Sequence, residues 1–98
     1  MQIRNSSQTI GTTQEAVTLQ VRDKQRELIT FVNTSTGGQI ITLSLGQEAA
    51  AGAGIVLYPA GGSWSEAIDA TFIPSELKWY AVSSAAGAIL AIHERIKE

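Results

Sequence analysis

The sequence contains few of the residue types on which catalysis and covalent cross-links depend. It has no cysteine, one histidine and two prolines. Without cysteine, a disulfide scaffold, a thiolate zinc site and a cysteine nucleophile are all excluded. His93 lies in a strand-like segment, out of phase with its apolar neighbours, and we expect its ring to face solvent. We therefore predict no catalytic, cofactor-binding or metal-binding residues, and do not expect an enzyme.

Charged residues are also scarce, and they are unevenly distributed. They make up 16% of the chain, with a net charge of −2, where about 25% is usual. Between Leu28 and Ser65, Glu48 is the only charged residue. The lack of an excess of basic residues argues against a nucleic-acid partner. The uncharged stretch is typical of two situations, a sandwich with Ser/Thr/Gln-rich outer faces or a face covered by another protein chain.

No long apolar run is present. A membrane-spanning helix needs roughly 18 apolar residues, and no run approaches that length. The first residues lack the apolar stretch of a signal peptide. We therefore expect no membrane partner. With 98 residues and 10.4 kDa, the chain is expected to form one domain over residues 15–98, with an accessible surface of about 5,400 Å².

What the sequence does contain is alternation with a period of two, which predicts short β-strands. In residues 15–21, for example, Val17, Leu19 and Val21 share one face. The predicted strands are 15–21, 27–33, 39–45, 55–58, 63–66, 77–83 and 88–96. Six to eight short strands about ten residues apart indicate an all-β protein, a small antiparallel β-sandwich or jelly-roll-like domain.

The turns between these segments predict how the strands pair. Residues 22–25 are charged and are expected to form a turn. Glycine-containing loops predict one hairpin between strands 27–33 and 39–45 and a second between 77–83 and 88–96. The side chains expected to face inward are Ile41, Leu43, Leu45, Leu77, Trp79, Ala81, Leu90, Ile92 and Ile96.

Residues 1–14 differ from the rest of the chain. They are polar, with Ile3 and Ile10 as apolar anchors. Two structures are open for this segment: an N-terminal arm that lies along a neighbouring molecule, or a first edge strand. An arm of this composition is ordered only where it is tied down.

Six residues are candidates for contact with a partner. Exposed aromatic side chains often form such contacts. Among them, Tyr58 and Tyr80 are expected to face outward, whereas Trp64, between two serines, is either packed or exposed. The candidate contact residues are Ile3, Arg4, Ile10, Tyr58, Trp64 and Tyr80.

A series of short segments in this order resembles the small all-β virion proteins of tailed bacteriophages, of the capsid decoration or cement type. The segments are ITFVNTS at 29–35, ITLSLG at 41–46, AAAGAGIVL at 49–57, PAGGSW at 59–64, WYAVSS at 79–84 and LAIHE at 90–94. The resemblance extends over roughly residues 26–94.

The resemblance implies a β-sandwich that forms a homodimer or homotrimer and binds the major capsid protein. Such a subunit is made in the host cytoplasm, lies on the capsid exterior and stabilises contacts between capsomers. Two alternatives are a receptor- or glycan-binding module of a phage fibre or head spike, and an unrelated small β domain that serves as an adaptor or enzyme accessory subunit. A groove that combines Trp64 with Tyr58 or Tyr80 would favour the glycan-binding alternative.

Overall fold

The computed structural model describes residues 2–18 and 25–97, and within these ranges all regular structure is β. The strands are β1 (Gln2–Ile10), β2 (Glu15–Ala16), β3 (Gln25–Asn33), β4 (Ile41–Leu45), β5 (Ile55–Leu57), β6 (Ser63–Ala67), β7 (Trp79–Ser83) and β8 (Ala88–Lys97). They form two four-stranded sheets, which we call sheet A, in the order β1-β8-β3-β6, and sheet B, in the order β2-β7-β4-β5. All neighbouring strands are antiparallel.

The strand pairing has a nested order. β1 pairs with β8, β2 with β7, β3 with β6 and β4 with β5. This is the order expected when a chain folds back on itself into a long double strand that then rolls into two facing sheets, which is a jelly roll. The predicted fold class is confirmed, and the accessible surface of 5441 Å² agrees with the predicted one.

The core lies between the sheets and follows from alternation along the strands. On β8, Leu90, Ile92 and Ile96 face inward as predicted, and so do Ile41 and Leu43 on β4. Each such side chain contributes roughly 1.5–3 kcal/mol through burial.

The largest buried side chain links the two sheets. Trp79 of sheet B, predicted to lie in the core, is 1% exposed. Its ring meets that of Phe31 in sheet A edge to face, with 5.1 Å between the ring centroids. Aromatic pairs in this arrangement contribute beyond their buried area.

Both predicted hairpins are wrong. β3 belongs to sheet A and β4 to sheet B, and β7 and β8 are separated in the same way. Each of these connections crosses the roughly 10 Å between facing sheets. Alternation identifies the buried face of a strand but carries no information about its neighbour, and the glycine-containing loops were mistaken for hairpin turns.

Some predicted strand bounds and faces also differ. Leu77 is 48% exposed because the strand begins only at Trp79. Thr42, which alternates with the inward-facing Ile41 and Leu43, is also buried, and its Oγ1 accepts a hydrogen bond from Gly52 N at 3.1 Å. Leu45 is half-buried. Residues 19–21 of the first predicted strand and 22–24 of the predicted charged turn lie outside the described residues. Gln25, the last residue of that predicted turn, belongs to β3.

The sequence left two structures open for the N-terminal segment, an arm or an edge strand. The segment forms the edge strand. β1 pairs with β8 without interruption, from Gln2 opposite Ile96 to Ile10 opposite Ala88. Ile10 is fully buried in the core. The segment is therefore part of sheet A, and not an arm in this structure.

Candidate functional site

The structure does not bring the six predicted contact residues together. Ile3 and Arg4 lie on β1, at the side of the sandwich where β1 and β2 are the edges. Tyr58 and Trp64 lie at the opposite side, next to β5 and on β6, and are 65% and 37% exposed. Tyr80 is half-buried on β7, a central strand of sheet B.

Ile10 must be removed from the candidate contact residues. Its side chain has no exposed surface and packs in the hydrophobic core. Its position explains this, because the even-numbered residues of β1 face the interior and Ile10 is the last of them. A partner cannot reach it while sheet A is intact.

An open groove of about 600 Å³ runs between the edges of the two sheets. β1 forms one wall and residues at and after β2 form the other. The inward-facing residues of β1 are polar up to Ile10, so the sheets do not close over an apolar core here. The polar and charged residues that line the groove include Arg4, Ser6, Gln8, Thr18, Lys78 and Glu94.

At the inner end of this groove lies a buried cluster of charges. Arg26 Nε donates to Glu94 Oε2 at 2.9 Å, and both side chains are almost inaccessible to solvent. Arg4 Nη1 lies 3.8 Å from Glu94 Oε1. Because burial of an unpaired charge costs several kcal/mol, Arg26 and Glu94 depend on each other, whereas the Arg4 side chain is partly exposed.

The same arginine holds a surface loop. This loop joins β6 to β7 and is called the 68–78 loop. Arg26 Nη1 donates to Ser75 O at 2.6 Å and to Leu77 O at 3.1 Å, and Gln25 Nε2 donates to Pro74 O at 3.1 Å. Pro74 itself is buried. Loop carbonyls that would otherwise bind water are therefore fixed from inside the protein.

The outer part of the 68–78 loop is fixed by Asp69. Its Oδ1 accepts hydrogen bonds from Thr71 N and Phe72 N, both at 2.8 Å, and from Thr71 Oγ1 at 3.1 Å. These hydrogen bonds, those from Thr71 above all, lower the pKa of the Asp69 carboxyl because they favour its charged form. Asp69 N also donates to Phe72 O, which closes the turn.

This well-held loop carries an unusual number of exposed apolar side chains. Ile68, Phe72, Ile73 and Leu77 are between 41% and 65% exposed. Single exposed apolar residues are ordinary on protein surfaces, but a group of them indicates an interaction site. We call these four side chains the loop patch.

The described residues do not include a candidate metal centre. Residues 2–18 and 25–97 contain no group of three His, Cys, Asp or Glu side chains that could hold a metal ion. The ring of His93 contacts Asn5 Oδ1 on the neighbouring strand. The same two ranges contain no helix capable of crossing a membrane.

The features that shape this surface were not predicted from the sequence. Neither Arg26 nor Glu94 is among the side chains expected to face inward. Glu94 has the same parity as Leu90, Ile92 and Ile96, and this signal places it inside. The 68–78 loop gave no comparable signal, because its apolar residues follow neither strand nor helix periodicity.

Comparisons with protein-family models, with curated proteins and with solved structures find no match to this chain.

Proposed function

We propose that this protein is a structural virion component, a capsid decoration or cement subunit that binds the major capsid protein on the outside of a viral capsid. The observation that carries the proposal is the 68–78 loop, whose backbone is fixed from inside while Ile68, Phe72, Ile73 and Leu77 are presented to solvent. A surface of this kind supports docking to another protein and not chemistry.

The fixed backbone of the loop favours tight docking. A loop that must be ordered on binding loses conformational freedom, which weakens the complex. Here Arg26 and Gln25 bind three loop carbonyls, and Asp69 binds two loop amides. Most of the conformational freedom of the loop is therefore lost during folding, and little more is lost on binding.

The fold and the composition also support this proposal. Jelly rolls are common in viral capsid proteins, although they also occur in lectins and cupins. The resemblance to phage decoration proteins favours the first of these classes. The low charge of 16% suits a protein that is largely covered by neighbours.

In this proposal the protein acts by adding contacts across capsid seams. A subunit that bridges neighbouring capsomers contributes its binding free energy only while the shell is intact, so it opposes rupture. Many copies bind one shell, and as a homodimer or homotrimer each unit has several contacts, so modest individual affinities are sufficient.

The test is co-sedimentation with purified capsids of the virus that encodes the chain. We expect wild-type protein to bind and Phe72→Ser/Ile73→Ser to lose at least about tenfold in affinity, which is about 1.4 kcal/mol. Ile89→Ser is the matched control, since Ile89 is 43% exposed at the opposite end of the sandwich. Failure of the wild-type protein to bind capsids would overturn the proposal.

One observation favours a second candidate function. Tyr58 and Trp64 are both exposed on the same side of the sandwich, where aromatic rings could stack on sugar rings. Binding to a glycan array that is lost in Trp64→Ala, with capsid binding absent, would favour a receptor- or glycan-binding module of a fibre or spike.

A further inference from the structure

One of the four sheet edges differs from the others. β2 has two residues and β5 has three, with Pro59 two positions after its last residue, Leu57. β6 has five residues and carries Glu66. β1 has nine residues, so sheet A offers a long row of backbone N–H and C=O groups on its β1 side.

The β1 edge also lacks the features that normally prevent pairing with another strand. Long edge strands are usually protected by proline, by several charges or by a bulge. β1 contains no proline, its register with β8 is unbroken, and its one charged residue is Arg4. The Arg4 side chain points inward, to Glu94. The outer face carries only the uncharged side chains of Ile3, Asn5, Ser7 and Thr9.

We propose that a second copy of this chain occupies the β1 edge. The two β1 strands pair antiparallel about a two-fold axis at Ser6 and join the two sheets A into one eight-stranded sheet. The inference rests on the self-association included in the proposed function, and it names the surface through which association occurs. A two-fold contact of this kind closes on itself and does not propagate into a fibre.

The register between the two β1 strands follows from the number of residues that can pair. Residues of the two strands that face the same side must lie opposite each other, so the register can shift only in steps that keep this parity. All nine residues pair only when Ser6 faces Ser6 of the second copy. Asn5 then faces Ser7 of the second copy, and Arg4 faces Gln8.

The charges of β1 are compatible with a second copy. Arg4 lies opposite an uncharged glutamine, and the two Arg4 residues are four positions apart along the strands. At about 3.4 Å per residue they are separated by roughly 14 Å, which exceeds the screening length of about 8 Å at physiological salt. No like charges lie opposite each other, so nothing on β1 opposes self-pairing.

The test is the solution mass of the purified protein by sedimentation equilibrium. At micromolar concentration we expect twice the chain mass of 10.4 kDa. Ser6→Lys should give the monomer, because two lysines then face each other about 5 Å apart across the axis. Ser6→Glu should act in the same way, and an equimolar mixture of the two variants should recover the dimer.

The matched control is Ser63→Lys, which puts the same charge on an exposed serine of β6, the other edge of sheet A. It should remain dimeric. If Ser6→Lys does not fold, as judged by circular dichroism, Asn5→Lys/Ser7→Lys tests the same register from the outer face.

A wild-type monomer, or a Ser6→Lys variant that is still dimeric, overturns this inference. Neither result alters the capsid-binding test, which measures a different surface. Conversely, a β1 dimer that does not bind capsids overturns the proposed function and leaves this inference standing.

Discussion

Arg26 Nε lies 2.9 Å from Glu94 Oε2 in the interior of the protein, where the two side chains are 0% and 5% exposed. The pair links β3 to its neighbour β8, and Nη1 of the same guanidinium reaches two carbonyls of the 68–78 loop. Both the centre of sheet A and the inner side of the 68–78 loop therefore depend on Arg26.

Arg26→Met is expected to lower the free energy of unfolding by about 3–5 kcal/mol, because Glu94 is left buried without its closest cation. The double variant Arg26→Met/Glu94→Leu should lose less than the single variant, since it removes both charges. Urea denaturation of the three proteins measures the difference.

Arg95→Met is the control for this pair. Arg95 is the exposed neighbour of Glu94 on β8, so its replacement should change stability by less than about 0.5 kcal/mol. An Arg26→Met variant as stable as the wild type would show that the buried pair contributes nothing.

This pair also shows where prediction from the sequence stops. The parity of Glu94 could have placed it inside, as it did for Leu90 and Ile92. No pattern could have identified Arg26 as its partner, because the two are 68 residues apart in the chain. Which strands become neighbours is decided by the packing of the whole sandwich.

We expect the protein to be destabilised when Asn33 is replaced by a residue whose side chain can only accept hydrogen bonds. Asn33 is fully buried, and its Nδ2 donates to Gln39 O and to Leu57 O, both at 2.9 Å. In Asn33→Asp a carboxylate would face these two carbonyl oxygens without a proton to offer. We expect a loss of about 3 kcal/mol or more at neutral pH.

This loss should depend on pH in a defined direction. Burial against carbonyl oxygens raises the pKa of the introduced carboxyl above its value of about 3.9 in the unfolded chain. The penalty is therefore largest above the raised pKa and shrinks as the pH falls towards 3.9. Gln47→Glu, the same amide-to-carboxyl change on an exposed residue, is the control. An equal penalty for Asn33→Asp at all pH values would contradict the prediction.

Asp69 is expected to stabilise the 68–78 loop in its charged form. Its pKa is lowered below 3.8 in the folded protein by hydrogen bonds from Thr71 and Phe72. The stabilisation is therefore complete above the unfolded pKa and is lost as the pH falls through the lower folded value. Titration of the carboxyl by NMR should give a midpoint below 3.8.

Comparison with Asp69→Asn isolates the charge, because the amide oxygen can still accept the same hydrogen bonds. The wild type should be more stable than this variant at neutral pH, and the difference should vanish at the acid end of the titration. An unshifted Asp69 midpoint would mean that the turn does not hold the carboxylate.

Gly62→Ala is expected to destabilise the protein by about 1–3 kcal/mol. A Cβ at this position would lie 2.4 Å from Tyr58 O and 2.6 Å from Tyr58 N, and backbone atoms cannot move aside cheaply. Gly11→Ala is the matched control, because a Cβ there meets nothing within 4 Å. Equal melting temperatures for the two variants would contradict the close approach at Gly62.

The fold class could be predicted from the sequence because alternation is a local property. The spacing of Ile41 and Leu43 identifies the buried face of β4 within a few residues, and that of Ile92 and Ile96 does the same for β8. The two hairpins were wrong because a turn such as 84–87 gives the same composition whether the chain pairs back or crosses to the facing sheet. The loop patch escaped prediction because its shape depends on the distant residue Arg26.

The nested pairing of the strands has a consequence for how the protein folds on the ribosome. β8 is the central neighbour of both β1 and β3, yet it is synthesised after every other strand. Sheet A therefore cannot form completely until Ile96 has been synthesised. Before then, β1 has no neighbouring strand to pair with in sheet A. We expect folding to wait for β8 and to fall in the slow, millisecond-to-second class of topologies that depend on distant contacts.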